Sequence, residues 1–114
     1  MHGVGARPRM KSLAGLVEVM RVCPLAEEMS EAGLPYLLLP KLKLPDGQIV
    51  DGLLSLQPRD GYPTRLFLSL RTSKTLNWSC HRILERDWHT WSWTGVDSSL
   101  RPVEILLRHL AALR

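Results

Sequence analysis

Cysteine is scarce in this chain: Cys23 and Cys80 are the only two in 114 residues. Two thiols make no disulfide framework, and the paired spacing of a four-cysteine zinc site is missing. A reduced, cytoplasmic chain is the expectation. Long apolar runs are missing too. No stretch reaches the roughly 18 apolar residues that a membrane span requires. Leu13–Val17 follows Arg7, Arg9 and Lys11 as the core of a leader would, but Glu18 and Arg21 interrupt it. Pro24-Leu25-Ala26-Glu27 is also a poor cleavage site. There is no internal repeat and no low-complexity tract, which excludes a solenoid or an array.

Charge is not of one sign. The formal net charge is +4, which permits an acidic partner. Lys41, Lys43, Arg65, Arg71 and Lys74, with several Trp, allow a small basic nucleic-acid-binding domain as one reading. Those cations are interleaved with Asp46, Asp51, Asp60, Glu85 and Asp87 rather than gathered into a stripe.

What is present is 45% apolar content, enough for one packed domain without metal or disulfide staples. Residues 1–9 read as a flexible N-terminus and residues 10–114 as a single domain. Leu13, Leu16, Val17 and Met20 recur at helical steps, and Pro24 breaks or restarts that helix. Pro24–Met29, opening with Pro and early acids, reads as a second short helix that stops at Gly33. Apolar alternation then predicts strands over Tyr36–Leu44, Ile49–Leu56 and Leu66–Leu70. Pro45-Asp46-Gly47 and Pro58-Arg59-Asp60-Gly61 supply the turns between them. Residues 72–100 hold all four tryptophans without clear periodicity and read as a long irregular segment. Pro102 starts a last helix with Val103, Leu106, Leu107, Leu110 and Leu113 on one face, capped by Asp97, Ser98 or Ser99. The predicted class is α+β: N-terminal helix, antiparallel three- to four-stranded meander, irregular Trp-rich segment and C-terminal helix.

The residue types that carry chemistry cluster between Asn77 and His89. A cysteine is nucleophilic as its thiolate, and positive charge nearby favours that form. His81, Arg82 and Arg86 stand close to Cys80 in sequence. Asn77 or main-chain N–H groups are the candidates to hold an oxyanion. The competing reading makes Cys80 a small buried hydrophobe. Zinc is not supported, because Cys80, His81 and His89 lack a fourth ligand. The Trp88–Trp93 cluster reads as core, with Trp88 and Trp91 as a partner platform in the alternative.

Cys80-x-x-Ile83-Leu84-x-x-x-Trp88 resembles the cysteine segment of the ubiquitin-conjugating enzymes, and Gly61-Tyr62-Pro63 before an apolar strand is similar to that family's Tyr-Pro element. Trp88-His89-Thr90-Trp91-Ser92-Trp93 resembles small bacterial members. The family's His-Pro-Asn tripeptide and its second C-terminal helix have no counterpart here. The resemblance implies a UBC-like fold over residues 10–114. It also implies a carrier that accepts a ubiquitin-like protein as a thioester on Cys80 and transfers it to an amine or thiol. Asn77 and His81 would assist, with no cofactor and no metal. The implied partners are a ubiquitin-like protein, an activating enzyme bound at Lys11 and Arg21, and a JAB-type protease encoded nearby. A non-catalytic adaptor of the same fold is the alternative. No membrane contact is expected.

Overall fold

The computed structural model describes residues 15–58, 61–93 and 96–114. Among the described residues six strands form one sheet: β1 (Glu27–Glu31), β2 (Leu34–Lys43), β3 (Ile49–Ser55), β4 (Arg65–Leu68), β5 (Trp78–Ile83) and β6 (Arg86–Trp91). Their order is β1-β2-β3-β4-β6-β5, and every pairing is antiparallel. A helical segment over residues 15–19 precedes the sheet, and the C-terminal helix (Pro102–Ala111) follows it.

This corrects the expected UBC-like α+β layout, which needs a four-stranded sheet with several helices. The described residues form a mostly β structure with two short helical pieces. Two local misreadings account for the difference. Pro24–Met29 does not form a second helix, because Glu27–Glu31 pairs with Leu34–Leu38 as an edge strand. The expected irregular segment contains the β5–β6 hairpin. The predicted frayed residues 1–9 and the partner candidate Lys11 lie outside the described residues.

Both extra hairpins close on two-residue turns with left-handed backbone. Ala32 and Gly33 have φ of 53° and 78°, and Leu84 and Glu85 have 53° and 62°. Two successive positive φ values match the right-handed twist of the flanking strands. The predicted turn at Pro45-Asp46-Gly47 is present, with Gly47 at φ 89° and Asp46 Oδ1 accepting from Gln48 N at 2.9 Å.

In-register neighbours share a sheet face, so the register sorts the core into two. On one face, the row Leu37–Leu54–Leu66 and the row Leu39–Gly52–Leu68 pack under Val19, Ile105, Leu106 and Leu110. Both helical pieces therefore cover this face. At Gly15 the two pieces come so close that a Cβ would lie 2.5 Å from Pro102 Cγ. The other face carries Tyr36, Leu53, Phe67, Ile83 and Trp88, all 2% exposed or less. Among the described residues no helix belongs to that cluster, and Leu34, Leu38 and Leu84 pack against it. The sheet itself curls around it, since the tips of the two edge strands meet where Leu84 N–H donates to the Glu31 carboxylate. Trp88 Nε1 donates to Ile83 O at 2.9 Å inside this curl.

The C-terminal helix begins at Pro102, as expected, but its cap residue is Arg101, with no side-chain capping bond. Asp97 instead accepts from Ser99 N at 2.9 Å in a local turn. The helix is tied down by charge and by a buried polar link. Arg101 bonds Glu104 and Glu18. His109 reaches Thr64 at 2.9 Å, and Thr64 in turn donates to Val96 O.

Candidate functional site

Cys80 lies in the middle of β5, at the edge of the sheet, and its side chain is exposed. Cys23 is its opposite. Its thiol is buried, sits 3.2 Å from Pro40 O, and is pushed up in pKa by loss of solvation. Cys23 is a packing residue; Cys80 is the thiol that solvent meets.

Strand alternation decides which neighbours Cys80 has. Successive side chains on a strand point to opposite faces. Asn77 and His81 are three residues before and one after Cys80, so both fall on the face away from it. Asn77 Nδ2 bonds Ser92 Oγ at 3.3 Å. His81 stacks edge-on against Phe67 and lies 3.1 Å from Ser79 Oγ. The residues predicted to assist Cys80 are thus held elsewhere. The partner candidates Trp88 and Trp91 are core, at 0% and 4% exposure, in the two different clusters. Arg21 is exposed.

The residue that does face the thiol is His89, its cross-strand partner. Ser92 N donates to Asn77 O, so the 77–92 pair is hydrogen-bonded, and bonding alternates from there. The pairs 79–90, 81–88 and 83–86 are then of the bonded kind, and 80–89 is of the open kind. Open pairs bring Cα atoms to about 4.5 Å and side chains closest together. His89 Nδ1 is buried with no partner. Cys80 and His89 end a row that starts in the core, Leu39–Gly52–Leu68–His89–Cys80.

The same alternation turns the main chain of Cys80 and Arg82 outward. Their N–H and C=O groups point away from β6, to the open edge. Leu84 N, the next outward donor, meets Glu31. Two residues along β5 from Cys80, and so on the same face, Arg82 pairs with Asp87 at 3.1 Å. Trp78 anchors the strand start, its Nε1 donating to Lys74 O at 3.1 Å and its ring edge-on to Trp91.

Sequence reasoning missed His89 as the neighbour of Cys80. The signal was the hairpin: with the turn at Leu84–Glu85, every partner pair sums to the same number, and 80 meets 89. Among the described residues no group of three or more His, Cys, Asp or Glu converges as a metal site. No helix among them is long and apolar enough to cross a membrane. Comparison with family models, curated proteins and solved structures finds no match.

Proposed function

We propose that this protein is an acyl carrier that takes the C-terminus of a ubiquitin-like protein as a thioester on Cys80 and passes it to an amine or thiol. The observation that carries the reading is the exposed thiol on an open strand edge, facing His89 across β5–β6. The Cys80–Ile83–Leu84–Trp88 spacing, which resembles that of conjugating enzymes, supports the same chemistry.

The steps are acyl transfers. His89 accepts the Cys80 proton, and the thiolate attacks the carbonyl carbon of the incoming thioester. The oxyanion takes a hydrogen bond from the outward N–H of Cys80 or Arg82 in place of Asn77. The tetrahedral intermediate collapses, the donor thiol leaves with a proton, and a new thioester remains on Cys80. An acceptor amine then attacks that carbonyl, forming an amide and returning the Cys80 thiol. An unpaired surface thiol of this kind suits the reducing cytoplasm.

The test uses a ubiquitin-like protein bearing a small-thiol thioester at its C-terminus. Mixing should give a covalent adduct that reductant removes, that Cys80→Ala abolishes and that His89→Ala slows at least tenfold. An adduct that survives Cys80→Ala, or none at all, overturns the carrier reading.

The separation of Asn77 and His81 from Cys80 favours a second reading, a non-catalytic adaptor that binds a ubiquitin-like protein or a partner enzyme. It predicts binding that is indifferent to Cys80→Ala. Nucleic-acid binding has less support. Trp88 and Trp91 are buried rather than available for stacking, and Arg82, Arg86 and Arg101 are paired with acids.

A further inference from the structure

On the helix-covered side, far along the chain from β5, the surface carries an apolar groove of ≈ 660 Å³ lined by Val22, Leu44, Pro45, Leu107 and Leu110, with Lys43 and Arg114 at its rim. Three parts of the fold build it: the turn that ends the first helical segment, the end of β2, and the C-terminal helix. Among the described residues its apolar lining is partly exposed. Val22 is 40% exposed and Leu107 48%, whereas Leu44 beneath them is 3% exposed. Leu107 and Val22 are exposed large hydrophobics that line the same groove rather than lying scattered.

Among the described residues that line the groove, the charged ones are the cations Lys43 and Arg114. Lys43 and Arg114 are exposed, and Arg21 adjoins Val22 in sequence. The acids nearest in sequence are Asp46, exposed beside Pro45, and Glu18 and Glu104. Asp46 holds its own turn through Gln48 N, and Glu18 and Glu104 hold Arg101. An apolar floor between cations fits a ligand with apolar side chains and flanking carboxylates.

The shape and the charge select among occupants. The groove is wide and open, so a small amphiphile would keep much of its surface in water, whereas small-molecule sites enclose most of their ligand. The chain's own residues 1–14 carry Arg7, Arg9 and Lys11 and no acid, so they match the rim in sign and are repelled by it. A second copy would bring the same cations against these. We propose that this groove docks a short acidic segment of a partner protein, laying its apolar side chains on Val22, Leu107 and Leu110 and its carboxylates on Lys43 and Arg114. The inference is independent of Cys80 and of the carrier reading.

The test uses the full chain and two labelled synthetic peptides of about twelve residues. One has Leu at helical i, i+3, i+4 and i+7 spacing with Glu elsewhere, and the other has Lys in place of every Glu. Fluorescence anisotropy should show binding of the acidic peptide and none of the basic one. Lys43→Glu should weaken it at least fivefold, and Lys43→Glu with Arg114→Glu should reverse the preference in favour of the basic peptide. Leu107→Ser should weaken it comparably, with the far-UV spectrum and melting temperature unchanged because the side chain is half exposed. Equal binding of both peptides, or indifference to the charge reversals, overturns the proposal. So does a concentration-dependent dimer in light scattering that Leu107→Ser dissolves, which would assign the groove to a second copy. Tighter binding of laurate than of the acidic peptide would assign it to an amphiphile and overturn the proposal equally.

Discussion

The Thr64 hydroxyl lies 2.9 Å from His109 Nε2 and 3.0 Å from Val96 O, so a single side chain ties the start of β4, the C-terminal helix and the chain at residue 96 together. A hydroxyl has one hydrogen. The carbonyl can only accept, so that hydrogen goes to Val96 O, and His109 Nε2–H must be the donor to Thr64. His109 is 2% exposed, with the rings of Trp91 and Trp93 edge-on to it at 6.3 and 5.2 Å. Burial depresses its pKa from 6.5 to about 4.

Acid should therefore loosen this protein over a definite window. Above pH 6.5 His109 is neutral in both folded and unfolded chains, and its contribution to stability is fully present. Between 6.5 and 4 the unfolded chain binds a proton that the folded chain refuses, so stability falls as pH falls. The loss from this residue amounts to about 3 kcal/mol by pH 4. Urea titrations at pH 7.5, 5.5 and 4.5 should show it. His109→Gln, which retains an N–H donor for Thr64, should flatten the profile over that window; an unchanged slope would remove His109 as its cause.

Thr64→Val keeps the shape at position 64 and removes both hydrogen bonds. It leaves the His109 donor and the Val96 carbonyl unsatisfied where water does not reach, at roughly 2–3 kcal/mol. Thr64→Ser retains both bonds and should stay within about 1 kcal/mol of the parent. Chemical denaturation of the pair at pH 7.5 separates the polar link from simple packing, because both variants change side-chain volume little.

The two tight turns should respond to glycine exchange with opposite signs. Glu85 holds φ 62° without being glycine, a conformation that costs an L-residue about 1–2 kcal/mol. Glu85→Gly should stabilise the protein by roughly 1 kcal/mol after the added chain entropy is counted. Gly33 has φ 78° and open space around a notional Cβ, so Gly33→Ala meets no clash and reports the backbone term alone. A loss of about 1 kcal/mol is expected there. Thermal melts of the two variants beside the parent test both signs at once.

These turns also explain how far the fold was legible in the sequence. The strands at β2, β3 and β4 were readable because Leu alternation and Pro-Asp-Gly chemistry agree there. β1 was hidden because Glu27-Glu28-Met29 after Pro24 imitates a helix start, and its strand state is fixed by pairing with β2 rather than by local preference. β5 and β6 were hidden because their turn is Leu84-Glu85, which carries none of the usual turn residues. Leu84 packs against the Phe67–Trp88 cluster and its N–H meets Glu31, so tertiary contacts impose the turn. Losing the hairpin from view placed Asn77 and His81 beside Cys80 and concealed His89. Burial of Trp88 and Trp91 was legible, since aromatics at that density belong in a core.

The two cysteines should differ sharply as chemical targets. Cys80 is exposed on an edge strand with an imidazole across the hairpin, whereas Cys23 is sealed, bonded to Pro40 O and raised in pKa by desolvation. Reaction needs the thiolate and access to it, and Cys23 has neither. N-ethylmaleimide at pH 7 should add once within minutes to the native protein, at Cys80. The second addition should appear only as urea opens the fold. His89→Ala should slow the first addition while leaving the urea dependence of the second in place. If the first addition is indifferent to position 89, the imidazole does not assist the thiol and the carrier chemistry loses its base. If both thiols react together in the native state, the core that leaves Cys23 1% exposed does not shield it from the reagent.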